Sequence, residues 1–244
     1  MLHLMRAAIL TVLAMATVAT GALEKQPTHM LPSCSQQQCT LNPLANTPSL
    51  RLRVTLKRKS MKVHGQHLFD VFTRPVISAD GSSVRYDGFA TFVKGDTQFT
   101  YMLVDGAAYV VETVGNGITE AATKTARCVP PPIPFESIVS ALNNATVISS
   151  ASADGEALEC SDGSILQTSV GGQDFVICTE GVIGFNAYSG DMAVTVEYLD
   201  VPIKSISPPV IAEWSAACDS VEAYTTLTPT GFALLTGTGM PQEI

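Results

Sequence analysis

The chain has 244 residues and carries 14 basic and 22 acidic side chains, for a formal charge of −8. Apolar residues make up 46% of it and charged residues only 15%, which argues for a well-buried globule and excludes a disordered chain. The acidic bulk also makes nucleic acid a poor partner.

Met1–Arg6 is a short positive start, and Ala7–Ala22 is apolar and small, so residues 1–22 read as a signal peptide. That run is too short to span a bilayer comfortably, and no later stretch approaches the roughly 20 apolar residues a membrane helix requires. The protein is therefore expected to be secreted and extracellular. Residues 23–48 form an N-terminal segment with Cys34 and Cys39. A single β domain is expected over 49–220, long enough for a substantial core.

Between Lys25 and His67 there is no acidic residue, whereas the chain from Asp70 onward carries 21 acids against 6 bases. Arg51, Arg53, Lys57, Arg58, Lys59 and Lys62 concentrate the positive charge in the first hairpin. Two readings compete: a dock for anionic lipid or sulfated polysaccharide, and a solvated edge strand whose charge blunts aggregation. The second carries more weight.

Turn signals then recur at hairpin spacing: Asp80-Gly81, Asp87-Gly88, Gly95-Asp96, Asp105-Gly106 and Asn116-Gly117, and later Asp154-Gly155, Asp162-Gly163, Gly171-Gly172 and Gly190-Asp191. Such pairs supply the positive φ of tight hairpins. Strands are predicted at 50–56, 68–77, 83–93, 97–104 and 107–114, forming a meander. Pro131-Pro132-Ile133-Pro134 interrupts the pattern, and Phe135, Ile138, Val139 and Leu142 mark one face of a short helix at about 134–143. Strands resume at 147–148, 165–170, 174–179, 182–188 and 192–199; in the last, Met192, Val194, Val196 and Tyr198 share a face. Pro202, Pro208 and Pro209 end the sheet, 210–218 reads as a second short helix, and 221–244 reads as a flexible tail rich in Thr, Gly and Pro. The fold class is mainly β (α+β): a strongly curved antiparallel meander or half-barrel with one short helix at about 134–143 and a second near 210–218.

Six cysteines, Cys34, Cys39, Cys128, Cys160, Cys178 and Cys218, suit three disulfides in an oxidising compartment, with 15 pairings open. Asn144-Ala145-Thr146 is the one glycosylation sequon.

The order of pieces from Asp96 to Cys218 resembles the ependymin-related family of secreted glycoproteins. Thr97–Val114 resembles its paired strands before a cysteine, here Cys128. Phe135-Glu136-Ser137-Ile138 and the sequon resemble its short helix and the segment after it. Asp174-Phe175-Val176-Ile177-Cys178 resembles the strand ending in its next cysteine, and Ile206-Ser207-Pro208-Pro209 through Cys218 its closing element. The resemblance implies a fold like bacterial lipoprotein carriers of the LolA type, with an apolar cavity for lipids. It also implies pairing of an N-terminal cysteine with Cys178 and of Cys128 with Cys218, and it brings an association with calcium.

No catalytic signature stands out, so a non-enzymatic protein without cofactor is expected. Gly-x-Ser-x-Gly, phosphate-loop and dinucleotide patterns are missing, and no Asp-x-Asp-x-Asp-Gly loop marks a calcium site. His64-x-x-His67 would place its rings on opposite faces of a strand, which disfavours a metal. Carboxylates such as Asp80, Asp87, Asp154, Glu156 and Glu159 are explained by turns. Two functions from different classes remain. The first is a carrier of a hydrophobic or lipid-like ligand, its pocket lined by Phe99, Tyr101, Leu103, Tyr109, Val111, Phe175 and Ile177. The second is a secreted interaction or host-targeting protein with a filled core, binding anionic surfaces through the basic hairpin.

Overall fold

A hairpin ladder in which each strand pairs with its sequence neighbour needs only local turns, and Asp105-Gly106 is one such turn, with φ of 52° and 80°. The computed structural model describes residues 43–115, 122–129, 135–153, 155–160, 163–210, 218–220 and 222–238, all within one unit, Leu41–Ile244. In chain order it contains β1 (Leu50–Leu56), β2 (Leu68–Ile77), β3 (Ser83–Lys94), β4 (Thr97–Val104), β5 (Ala107–Val114), β6 (Thr123–Cys128) and α1 (Phe135–Asn143). Then come β7 (Thr146–Ile148), β8 (Ser152–Ala153), β9 (Glu156–Ala157), β10 (Ile165–Val170), β11 (Gln173–Thr179), β12 (Gly184–Tyr188), β13 (Met192–Tyr198), β14 (Thr225–Thr226) and α2 (Pro229–Thr236).

Two meanders, β1–β6 and β10–β13, are joined by the seven-residue pairing of β1 with β13. The sheet runs β6-β5-β4-β3-β2-β1-β13-β12-β11-β10-β7, with β14 added on β3; β8 and β9 form a separate hairpin. It is one long curved antiparallel sheet that does not close. Asp87-Gly88 is not a turn: both residues lie inside β3, where a Cβ on Gly88 would come within 3.0 Å of the Phe72 carbonyl oxygen. A close approach of backbones explains that glycine better than a hairpin does.

α1 and α2 cover one face, called inner here. Val139 and Leu142 of α1 and Leu234 and Leu235 of α2 pack on Leu50, Val84, Tyr86, Leu166, Ile177, Phe185 and Val196. Burying each of those aliphatic side chains stabilises by about 1.5–3 kcal/mol. The stretch expected as a loose tail thus supplies a strand and a helix with fully buried leucines. α2 begins at Thr228, whose hydroxyl accepts from the Gly231 N–H at 3.2 Å, has Pro229 in its first turn, and ends at left-handed Gly237. Asn143 ties the two helices, donating to the Thr226 carbonyl at 2.8 Å and accepting from the Thr228 N–H at 2.9 Å. Tyr198 donates to the Leu234 carbonyl at 2.7 Å and fixes α2 on β13.

On the outer face Val104, Ala107 and Tyr109 pack with Met102, Ile206 and Cys218. Cys128 and Cys218 are bonded, as the family resemblance implies. Cys178 pairs instead with Cys160, 18 residues upstream, because the β10–β11 hairpin places Ile165 opposite Cys178. The signal segment, Cys34 and Cys39, and the helix expected at 210–218 lie wholly or largely outside the described residues.

Candidate functional site

Period-two alternation on β1, β12 and β13 sends Leu50 and Leu52, Phe185 and Ala187, and Val194 and Val196 to the inner face, where the register sets them side by side. Ile138, Val139 and Leu142, the apolar stripe of α1, roof them over together with Leu235. The space between is a cavity of about 310 Å³ whose walls also include Phe175 and Ile177 of β11 and Thr168 and Val170 of β10. Thr168 is neutralised as a polar group, since its hydroxyl donates to the Ala141 carbonyl at 2.5 Å. An apolar cavity of about 150 Å³ already suffices for a benzene-sized guest.

The lining reaches the sheet's end at Met61, Gly171, Gln173 and Met192. Met61 comes from the β1–β2 connection, in a short 3-10 turn, Lys59–Met61. That connection is a strap held on both sides. On one side Arg58 is paired with buried Asp191, which also accepts from the Gln173 amide at 2.6 Å, and the Lys57 ammonium donates to the Ser189 carbonyl at 2.9 Å. On the other side the His64 ring stacks on Phe99 with centroids 3.9 Å apart, its Nε2 lies 2.9 Å from the Tyr101 hydroxyl, and Gln66 donates to the Val93 carbonyl. His64 is thus an anchor on an aromatic cluster that includes Phe92 and Phe69. Among the described residues no three His, Cys, Asp or Glu side chains converge as a metal site.

Of the seven residues expected to line a pocket, Phe175 and Ile177 do. Phe99, Tyr101 and Leu103 share the inner face but lie on β4, and the first two pack in the aromatic cluster. Tyr109 and Val111 pair with Met102 and Thr100 and so face outward. The expectation draws five of its seven lining residues from the first meander and two, Phe175 and Ile177, from β11; the structure has the cavity where α1 lands, over β1 and the second meander. The signals for this were the α1 stripe and the alternation of Met192, Val194 and Val196.

The basic hairpin also divides. Arg51 and Arg53 face outward and are held by acids: Arg51 by Asp70 at 2.7 Å and Glu197 at 3.3 Å, and Arg53 by Asp70 at 3.2 Å. These guanidinium groups, Arg51 foremost, hold the Asp70 carboxyl below its ordinary value. Lys57, Arg58, Lys59 and Lys62 are exposed on the strap. Asn144 is exposed just beyond α1, its side-chain amide donating to the Ser140 carbonyl at 2.9 Å.

Compared with known family models, with curated proteins and with solved structures, the chain matches none.

Proposed function

We propose that this is a secreted, non-enzymatic binding protein that holds a hydrophobic or lipid-like molecule under its two helices. The observation that carries the reading is the cavity of about 310 Å³, bounded almost wholly by aliphatic and aromatic side chains. Ligand pockets begin at roughly 300 Å³ and are lined in this way, with few polar groups. A filled-core interaction protein has no use for such a space, because interiors otherwise pack to crystal-like density.

The leader-like start and the disulfides Cys128–Cys218 and Cys160–Cys178 favour export. The exposed sequon at Asn144 suits a glycan, and the resemblance to ependymin-related secreted glycoproteins, whose fold is like that of LolA-type carriers, points to the same ligand class. Protein purified from a secreting host, extracted with organic solvent and analysed by mass spectrometry, should release an apolar compound near one per chain. Extraction that yields nothing stoichiometric, together with no uptake of an added apolar dye, would sink the proposal.

A further inference from the structure

The antiparallel register brings the strap at 57–67 and the turns at 95–96, 171–172 and 189–191 to one end of the sheet. This is the end that the cavity lining reaches. It carries the exposed cations Lys57, Arg58, Lys59, Lys62, Lys94 and Lys124. Acids there are few among the described residues: Asp96 and Asp174 are exposed, Glu112 is half-buried, and Asp191 is engaged by Arg58. Arg58 uses only part of its donor capacity in its contact with Asp191. The opposite end presents the exposed acids Asp80, Asp105, Glu180 and Asp200 against the exposed Arg127. The molecule is therefore polarised along its strands despite its net negative charge.

The cationic end also exposes large apolar side chains: Leu68 at 49%, Val93 at 55% and Val114 at 46%. Leu68 begins the strand after the strap, and Val93 offers its carbonyl to Gln66 of the strap. Apolar side chains interspersed with lysines suit the boundary of a lipid bilayer, where acyl chains accept the former and anionic headgroups the latter. A sulfated polysaccharide would reward only the charges.

We infer that this end is a docking surface for anionic lipid bilayers, and that docking sets the cavity mouth, covered by Met61 of the strap, against the lipid from which its ligand is taken. The part concerning the ligand rests on the proposed function; the docking surface does not. Bound headgroup phosphates compete with Asp191 for Arg58 and so loosen the strap where it is pinned.

Flotation of the full secreted chain with phosphatidylcholine vesicles, with and without phosphatidylserine, tests this. The wild type should float with the anionic vesicles and not with phosphatidylcholine alone. K59E/K62E should lower partition by at least tenfold, since each lysine near such a surface accounts for about fivefold. L68S/V93S should lower it several-fold at unchanged charge, while thermal melting shows both variants folded. Retention on heparin without flotation would overturn the inference in favour of a polysaccharide partner, and flotation insensitive to both variants would overturn the assigned surface. Flotation by a chain that holds no apolar ligand would leave the docking surface standing and remove the carrier reading.

Discussion

Replacing Gly184 by alanine should damage the protein out of proportion to one methyl group. Gly184 opens β12 with φ of +147° and ψ of −149°, a region essentially reserved for glycine, where other residues store about 1–3 kcal/mol of strain. A Cβ built there falls 1.8 Å from the Val196 carbonyl oxygen and 2.9 Å from its carbon. Those atoms are backbone, so relief requires moving β13 away from β12 and weakening ladder hydrogen bonds worth about 1 kcal/mol each. The sum is about 3–5 kcal/mol, which at roughly 2–4 °C per kcal/mol for a domain of this size lowers Tm by about 10 °C. Val196 and Phe185 also line the cavity, so apolar-dye binding should fall as well. Gly95→Ala is the control: its φ is also positive, at +60°, but nothing lies within 4 Å of the added Cβ, and only the left-handed penalty of roughly 1–2 kcal/mol applies. Calorimetry on the two variants decides; equal shifts would refute the close contact between β12 and β13.

Other outcomes follow from the same geometry. Cys128–Cys218 closes 90 residues and Cys160–Cys178 only 18, so on the chain-entropy model their loss costs about 4–5 and about 3 kcal/mol respectively. Urea unfolding of C128S/C218S and C160S/C178S should show that order, and the reverse order would contradict it. Acid should destabilise the protein through carboxylates that are held ionised. The Asp70 carboxyl, hydrogen-bonded chiefly by Arg51, is held below its ordinary value, and Asp80, which accepts from Ser78 and Ser82, is pulled down to about 2. Both folded values lie below the unfolded one, so this stability is present above about pH 3.8 and is lost as pH falls toward 2. D70N and D80N should each flatten the fall in Tm across that window, and a slope unchanged in both would exclude these contacts as its cause.

Much of the fold is written locally. β1, β2, β4, β5 and β10 begin and end where alternation and turn chemistry put them, and α1 follows its stripe. β6 was not legible, because Thr123–Cys128 alternates weakly and finds its place only as the partner of β5. α2 was hidden by Thr, Pro and Gly, residues that favour loops until Thr228 and Gly237 are recognised as caps around Phe232, Ala233, Leu234 and Leu235. Half of the site was out of reach for a different reason. Alternation tells which residues share a face of one strand, but the pairing of β1 with β13 spans more than 120 positions and no local pattern announces it. Without it, Leu52 cannot be set beside Val196, nor the cavity assigned to α1. Likewise Arg51 and Arg53 look like free surface charge until Asp70 and Glu197 arrive from neighbouring strands.

The claim of a ligand cavity is tested most directly by titrating delipidated protein with Nile red, in the wild type and in Ala187→Phe. Ala187 is half-buried on the cavity wall beside Val194, so a phenylalanine there fills open space and costs little, unlike overpacking in a closed core. The wild type should bind saturably, one to one, with blue-shifted emission, and the variant should lose at least tenfold in affinity with Tm unchanged or raised. Equal binding by the two proteins, or a variant that unfolds as a packed core would, contradicts it.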